Sequence, residues 1–437
     1  MEKVQRFLGR EVDNSRLVLF RIGFGLLAMA ESWGAIFTGW VRRAFIDVDM
    51  TFPFFGFEWL QPLPGYGMYF YYLLMGLSAL FIALGFYYRW STAIFFLLWT
   101  GSYLMQKTHY NNHYYLLMVM SFIMILIPAH KANSLDVRFG RVREESRCAF
   151  VYIWIWIAQV VIVYLYAAIN KVYPDWIAAK PIEIWFASKS DYPVIGPLLA
   201  QRWFQYTIAY GGIFYDGIVV FLLSFHRTRM LGFLGSVTFN LFNSFVFHIG
   251  IFPYLMILLS SLFYPGDRIR AKFFPKRKPV QEQDRLFPKW STLVVLIFLA
   301  IQVIIPLRHW VIPGDVLWTE EGHRLSWRMM LRAKQGSGYF LVKDGQSGDE
   351  MKVSGYEHLT RKQASKVRSH PDMTWQFAQY LKKIYEDKGW KDVEVYAHVT
   401  VTVNGGPETS IADPNVDLAK VRWNYFWHNQ WITPPQE

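Results

Sequence analysis

An almost unbroken apolar run from Val151 to Ala168 constrains the fold of this chain more than any other feature. Gln159 is its only strongly polar side chain. Roughly eighteen consecutive apolar residues make a helix long enough to cross the hydrocarbon layer of a bilayer. The run ends at residues 170–176, which combine polar and aromatic side chains. The sequence therefore predicts a membrane protein with Lys171 at or just inside one membrane face.

Lys171 admits two interpretations. A lysine held away from water loses its proton more easily and becomes an amine base. A lysine at the end of a spanning helix also serves as an anchor whose ammonium reaches the headgroups. Asn170 and Asp175 are expected as its polar partners, and Tyr173 and Trp176 mark the membrane interface.

Nine apolar runs divide the first three quarters of the chain, and each predicts a membrane span. They lie at about 16–37, 66–87, 91–105, 114–128, 150–169, 207–225, 231–247, 249–264 and 290–307. The third and fourth runs are short, and the seventh and eighth meet at residues 248–250. With the N-terminus in the cytoplasm, the inner segments hold 20 Lys and Arg and the outer loops hold 7. This bias predicts a cytoplasmic N-terminus and an extracytoplasmic C-terminus.

The chain after residue 309 changes character and becomes polar. Strand-like runs lie at 338–343, 350–355 and 393–404, and residues 374–387 have helical periodicity. The predicted fold is mainly α, a polytopic helical bundle of about nine spans over residues 1–309. A small extracytoplasmic α+β domain follows over residues 310–437, docked on the outer face.

Composition excludes several classes of protein. The chain is 53% hydrophobic and 19% aromatic, too apolar for a soluble protein of its size. The net charge is +12, and the basic residues lie in the segments between apolar runs. This distribution indicates membrane topology, so no nucleic-acid partner is expected. A single cysteine, Cys148, excludes an intramolecular disulfide and a multi-cysteine metal site. A zinc site on His109 and His113 lacks a third ligand nearby, so no metal is expected. We identify no cleaved signal peptide.

Two polar clusters are candidate sites. Residues 106–113 pack histidine, asparagine, lysine and tyrosine between two short spans, so we expect them to dip into the bundle. There His113 could shuttle a proton and Asn112 could orient a ligand oxygen, although an ordinary polar loop is the alternative. Residues 318–330 are rich in Trp, Met and Arg. That composition suits an apolar ring with a carboxylate, or simple packing at the interface.

Ordered segments across nearly the whole chain resemble the vitamin K-dependent gamma-glutamyl carboxylase family. These segments are residues 20–25, 107–108, 111–113, 168–171, 175–176, 243–244, 249–252, 326–327, 329–330, 413–414 and 416–417. The resemblance is to a bacterial-type homologue that lacks the C-terminal extension of animal members. It implies a location in the bacterial inner membrane, whereas the animal relatives lie in the membrane of the endoplasmic reticulum.

The resemblance implies a lyase that uses vitamin K hydroquinone or menaquinol, oxygen and carbon dioxide, with membrane lipid and peptide glutamate as partners. In the family a lysine amine deprotonates the hydroquinone, which oxygen converts through a strongly basic alkoxide to the epoxide. That base removes a γ-proton from glutamate, and the carbanion captures carbon dioxide. Lys171 matches the lysine, and His113 matches an assisting histidine.

The same resemblance implies residues for the two substrates. The quinol-binding set is Asn112, Asn240, Met329 and Met330. The glutamate-binding set is Trp318, His323, Ser326, Trp327 and Arg332. The chain departs from animal members at four positions: His323 replaces a tyrosine, Arg332 a histidine, Gln106 an aspartate and Asn240 a histidine.

Two further functions stay open at this point. A quinol epoxidase without peptide carboxylation would keep only half of the reaction. A non-enzymatic membrane protein could use the same bundle to bind lipid or peptide. A transporter is disfavoured, because Glu31 and Asp216 are the only acidic residues in the predicted spans.

Overall fold

The computed structural model of the chain describes residues 1–193, 195–247 and 249–435. Most of these residues form helices that follow the apolar runs. The helices of the first part of the chain are α1 (Glu2–Gly9), α2 (Ser15–Phe37), α3 (Gly67–Leu84), α4 (Tyr88–Met105), α5 (Asn112–Leu126), α6 (Leu135–Arg138), α7 (Val151–Asn170), α8 (Pro174–Ile177), α9 (Lys180–Ala187), α10 (Gly196–Leu199), α11 (Arg202–Ser224), α12 (Arg229–Phe247), α13 (Phe252–Ser261), α14 (Gly266–Phe273) and α15 (Lys289–Leu307).

Each of the nine apolar runs contains one helix, so the predicted helical pattern is confirmed within the described residues. Six of these helices, α2, α3, α7, α11, α12 and α15, are long and apolar enough to cross a membrane. The third run forms α4, while the fourth and eighth form the shorter α5 and α13. Membrane crossing by these three helices remains a prediction. The predicted junction at 248–250 includes His248, which lies outside the described residues.

Close backbone approach and aromatic packing hold the bundle together. A side chain at Gly25 of α2 would meet the Ala83 nitrogen of α3 at 2.4 Å, so only glycine allows these two helices to touch here. The predicted central helix α7 inserts Trp156 against Phe20 of α2, with ring centroids 4.6 Å apart. The core therefore runs through α7, whose C-terminal end presents Lys171.

The polar tail forms an antiparallel sheet with helices packed on it. Its strands are β3 (Lys334–Lys343), β4 (Glu350–Val353), β5 (Glu394–Val403) and β6 (Thr409–Ser410), in the order β4-β3-β5-β6. Strands β1 (Glu11–Asp13) and β2 (Arg147–Ala149) pair separately beside the bundle. The tail helices are α16 (Val316–Thr319), α17 (Arg361–Val367) and α18 (Pro371–Asp387). Phe340 of β3 meets Phe377 of α18 at 5.0 Å, which closes a second core. The predicted α+β character of the tail is confirmed.

The tail docks on the end of the bundle that carries the polar cluster at 106–113. Lys107 Nζ lies 2.6 Å from an Asp372 carboxylate oxygen of α18, and both side chains are buried. Asn112 Nδ2 donates to the Arg328 carbonyl at 2.8 Å, and Tyr110 Oη accepts from the Leu325 amide at 2.8 Å. The polar cluster therefore joins bundle and tail.

Candidate functional site

An apolar cavity of about 390 Å³ lies where the bundle meets the tail. Five helices of the bundle surround this cavity: α5, α7, α11, α12 and α13. Residues 323–332 close it from the tail side. Rings and thioethers dominate the wall, including Trp176, Phe239, Phe252 and Met256. Its volume falls within the range of about 300–1,000 Å³ that is usual for small-molecule sites.

Eight of the eleven site residues expected from the sequence line this one cavity. They are Lys171, His113, Asn112, Asn240, Met329, Met330, His323 and Arg332. These residues come from four separate stretches of chain, so the fold brings them together where the sequence gives no such proximity.

Lys171 reaches the cavity from the C-terminal end of α7, and its partner there is Asp216. Lys171 Nζ donates to Asp216 Oδ2, and only 10% and 5% of the two side chains are exposed. Asp216 lies in the apolar helix α11, where a lone carboxylate would be costly. The Lys171 ammonium position also lies 5.6 Å from the Trp176 ring centroid. The pair is thus a buried amine and carboxylate that face an apolar chamber.

The partners expected for Lys171 from the sequence are engaged elsewhere. Asp175 binds Lys180 at 2.8 Å and accepts from Asn404 Nδ2 at 3.0 Å. Asn170 donates to the Ser326 carbonyl at 3.2 Å and accepts from the Arg328 guanidinium at 3.0 Å. The expectation that Asn170 and Asp175 pair with Lys171 was wrong, because the helix end turns their side chains towards the tail.

His113 and Asn112 lie at the start of α5, whose first turn is capped by the Asn111 side chain at 2.7 Å from the Tyr114 amide. The His113 ring packs 5.3 Å from Phe252 and 5.1 Å from Tyr114. Among the described residues His113 has no protein hydrogen bond, so its ring nitrogens are available to a molecule in the cavity.

Trp318, Ser326 and Trp327 do not line the apolar cavity. The Trp318 indole donates to the Thr433 carbonyl at 2.7 Å, inside the core of the tail. Ser326 Oγ donates to the Gly322 carbonyl at 2.5 Å, and Trp327 packs 4.7 Å from Tyr115. In the structure these three side chains are engaged in contacts within the protein, and their predicted part in glutamate binding stays a prediction.

A second, polar cavity of about 180 Å³ adjoins the apolar one. It is lined by Lys107, Thr108, Tyr110, His323, Arg324, Arg332, Lys334, Lys366, His370 and Met373. Tyr110, His323, Arg332 and Lys366 line both cavities and form the seam between them. An apolar chamber and a cationic chamber thus share one wall.

Two buried carboxylates partly balance the cations of the polar cavity. Glu320 binds Arg332 and, at 3.2 Å, Lys334. Burial raises the pKa of Glu320, but the charges of Arg332 and Lys334 outweigh it and bring that pKa well below its ordinary value. Burial lowers the pKa of Lys334 to about 8 despite Glu320.

Asp372 is the other balancing carboxylate, and it joins two cations from different parts of the chain. It binds Lys107 at 2.6 Å and Arg324 at 2.7 Å. Burial raises the pKa of Asp372, but these two charges and their hydrogen bonds lower it overall. Five lysines and arginines against two carboxylates leave a positive surplus around the polar cavity.

His323 and Arg332 lie side by side at the seam. Arg332 Nη1 lies 3.4 Å from His323 Nε2, and His323 Nδ1 is buried without a hydrogen bond. Burial and the Arg332 charge bring the pKa of His323 well below its ordinary value, so the ring is neutral. Glu320 already occupies the Nε and Nη2 side of the Arg332 guanidinium, so the Arg332 Nη1 group and the unpaired His323 Nδ1 are the polar atoms that remain for a ligand at the seam.

His109 and His113, the pair considered for zinc, line different cavities. His109 Nδ1 accepts from Lys362 Nζ at 2.8 Å. Within the described ranges no group of three or more His, Cys, Asp and Glu side chains is arranged to hold a metal ion.

Two family models together span most of the chain. The model described as HTTM domain matches residues 9–267, more than half of the chain, and contains the helices that surround the apolar cavity. The model described as vitamin K-dependent gamma-carboxylase, lumenal domain, matches residues 287–437. This range contains α15, the tail residues that line the two cavities, and the four-stranded sheet. No solved structure matches this chain.

Proposed function

The chain belongs to the vitamin K-dependent gamma-carboxylase family, and from that premise we propose a membrane enzyme that oxidises a prenylated hydroquinone and carboxylates glutamate in a peptide. It is a carboxylase-type, multi-pass membrane protein with an extracytoplasmic C-terminal domain, as the name of the matching lumenal domain implies. The observation that carries the proposal is the buried Lys171–Asp216 pair in an apolar cavity that adjoins a cationic one.

The apolar cavity fits vitamin K hydroquinone or menaquinol. Its aromatic and thioether walls suit a flat ring, and it lies among helices apolar enough to be in contact with lipid. When bound, the hydroquinone supplies reducing power towards oxygen and, as it becomes the epoxide, the strong base that glutamate carboxylation needs. Exclusion of water by this wall protects such a base from being quenched.

Lys171 is the proposed base for the quinol hydroxyl. We propose that the Lys171 amine accepts the proton of a bound quinol hydroxyl and that the Asp216 carboxylate, its hydrogen-bond partner, balances the resulting ammonium charge. Because both side chains are buried, their positions are fixed before any ligand arrives. Asp216 thus positions the Lys171 nitrogen and stabilises it after it accepts the proton.

The other cavity residues are proposed to hold and orient the ring. His113 and Asn112 offer polar contacts from α5, and Asn240 offers one from α12. Asn240 is fixed by its bond to the Ser236 carbonyl at 2.8 Å. Met329 and Met330 provide polarisable surface for the ring.

Peptide glutamate is proposed to enter from the tail side. His323 and Arg332 at the seam would hold its carboxylate, while Trp318, Ser326 and Trp327 keep that segment in shape. The γ-carbon would then lie beside the wall that the two cavities share. We place the boundary between the helical domain (1–309) and the tail domain (310–437) at the end of the last helix of the bundle.

The test uses purified full-length protein reconstituted in lipid with vitamin K hydroquinone, oxygen, labelled bicarbonate and a glutamate peptide. Epoxide and labelled peptide are both expected, and Lys171→Ala should abolish both. Epoxide without labelled peptide would reduce the function to a quinol epoxidase. If neither epoxide nor labelled peptide forms, the enzymatic proposal is overturned and a lipid- or peptide-binding protein is left.

A further inference from the structure

Lys366 lies in the wall that the apolar and polar cavities share. It is the one lysine of the described residues that lines both the apolar and the polar cavity. It projects from α17, whose start is fixed by a capping box between Thr360 and Gln363. Gln363 also donates to the Met50 carbonyl at 2.8 Å, which ties α17 to the bundle. These contacts fix the α17 backbone that carries Lys366 at the seam.

Lys366 differs from the other lysines of the polar cavity because it has no carboxylate partner. Lys107 binds Asp372 and Lys334 binds Glu320. For Lys366, no carboxylate oxygen of the described residues lies within 4.0 Å. Its side-chain partner is His370 Nε2, at 3.3 Å.

The hydrogen bonds of His370 indicate which ring nitrogen carries the proton. Ser369 Oγ donates to the Ser365 carbonyl at 2.8 Å, which uses its single hydrogen. The same oxygen lies 2.8 Å from His370 Nδ1 and must accept there. The proton of the neutral ring is therefore on Nδ1, and the lone pair of Nε2 faces the Lys366 amine.

An amine beside a ring nitrogen with a free lone pair is the arrangement of a nucleophile and its base. Burial lowers the pKa of Lys366 to about 8, and the charge of Arg332 lowers it further than Glu320 raises it. Burial, with the neighbouring Lys366 charge, brings the pKa of His370 well below its ordinary value. The charged groups that face Lys366 are Arg332, Glu320, Arg324 and Lys362, and the neutral His370 ring is the other titratable group beside it. A neutral amine is accordingly accessible near neutral pH.

We propose that Lys366 reversibly binds carbon dioxide as a carbamate at the seam between the two cavities. The Nζ lone pair forms a bond to the carbon of CO2, and one C–O π pair moves onto oxygen. The proton released from nitrogen leaves by way of the His370 Nε2 lone pair to water, and His370 returns to its neutral form. No electron is gained or lost, and the reverse reaction returns CO2.

The charges around the polar cavity favour the carbamate. Protonated Lys366 adds a fifth cation to a cluster that contains two carboxylates. Conversion of that ammonium to a carbamate replaces a positive charge by a negative one and offers its oxygens to Arg332, Lys334 and Arg324, which line the same cavity. The positive surplus falls, so the adduct stabilises the cluster that surrounds it.

The consequence for catalysis rests on the proposed function. A glutamate carbanion formed at the seam needs CO2 within reach, and water must be kept away from it. Release of CO2 from Lys366 would supply the electrophile at the wall shared by both cavities.

The adduct is tested on the full-length protein without any quinol or peptide. The protein is equilibrated with 13C-labelled CO2 and bicarbonate, the carbamates are trapped by O-alkylation, and the modified lysines are located by peptide mass spectrometry. We expect labelling at Lys366 that increases as the pH rises through about 8, because the neutral amine is the reactive form. Lys334, in the same cavity but paired with Glu320, is the internal control and should stay unlabelled. Absence of label at Lys366, or equal label at Lys334 and at exposed lysines, would overturn the proposal.

A kinetic test separates this inference from the proposed function. Lys366→Arg keeps the charge but cannot form a carbamate, and it should raise KM for CO2 by about tenfold. The matched control Lys391→Arg, on the exposed surface, should leave that KM unchanged. An unchanged KM for CO2 in Lys366→Arg would contradict a CO2-binding role. If wild-type protein makes no epoxide but Lys366 is labelled, the proposed function fails and the carbamate site stands.

Discussion

Gly212→Leu tests the apolar cavity as the quinol site. Gly212 lines the cavity from α11, and a Cβ there would lie 3.8 Å from Trp176 Cζ2 and 4.0 Å from Lys171 Cε. The first carbon thus already reaches contact distance, and the remaining three must occupy the space in front of Lys171. The cavity of about 390 Å³ accommodates them, so folding should be retained while room for the ring is lost.

Forcing a ligand against added carbons costs about 1–3 kcal/mol where a site is closely packed. At about 1.4 kcal/mol per factor of ten, KM for vitamin K hydroquinone should rise by about five- to a hundredfold. The assay is epoxide formation by the purified protein across a hydroquinone titration. Gly211→Leu is the matched control, since the neighbouring Gly211 is exposed and a Cβ there meets nothing within 4 Å. Equal KM values for the two variants would refute the assignment of the cavity.

Three further predictions address the charged groups. Asp216→Asn should lower kcat for epoxide formation by at least about tenfold with little change in KM, because the carboxylate that positions Lys171 and balances its charge is lost. An unchanged kcat would limit Asp216 to a structural role. Asp372 has a pKa below its ordinary 3.8, so its stabilisation of the tail is present above pH 3.8 and is lost as the pH falls through the lower folded value. Asp372→Asn should therefore melt lower than wild type at pH 6, and the difference should shrink below pH 3.8. Arg332→Gln should weaken binding of a glutamate peptide and leave KM for hydroquinone unchanged, and an equal effect on both substrates would contradict the division of roles.

The fold follows from local pattern to a large extent. Apolar runs of helical length predict the helices of the bundle, because no polar backbone can cross a bilayer unpaired. Alternation between turn residues likewise predicts three of the four tail strands. Strand β3 begins four residues before its expected start, β4 ends two residues before its expected end, and β5 is one residue shorter than expected at each end. The sequence does not predict α17, because a seven-residue polar helix has too few apolar positions to show a period.

The site is less accessible to sequence reasoning because its decisive contacts are distant along the chain. Lys171 and Asp216 are 45 residues apart, and only packing of α7 against α11 brings them together. Asp175 is nearer in sequence but faces the tail. Lys366 and His370 have the spacing of one helical turn, yet the last turn of α17 and the start of α18 give no chemical signal until Ser369 fixes the imidazole. Trp318 and Trp327 match the family pattern for glutamate binding. In the structure Trp318 packs in the core of the tail and Trp327 in the core of the bundle.

The central claim is that Lys171 in the apolar cavity deprotonates a bound hydroquinone. The most direct measurement is oxygen-dependent conversion of vitamin K hydroquinone to its epoxide by reconstituted wild-type protein, with Lys171→Ala and Lys180→Ala measured alongside. The account predicts epoxide from wild type and from Lys180→Ala, whose exposed side chain pairs with Asp175, and none from Lys171→Ala. Epoxide from Lys171→Ala at the wild-type rate would contradict the account.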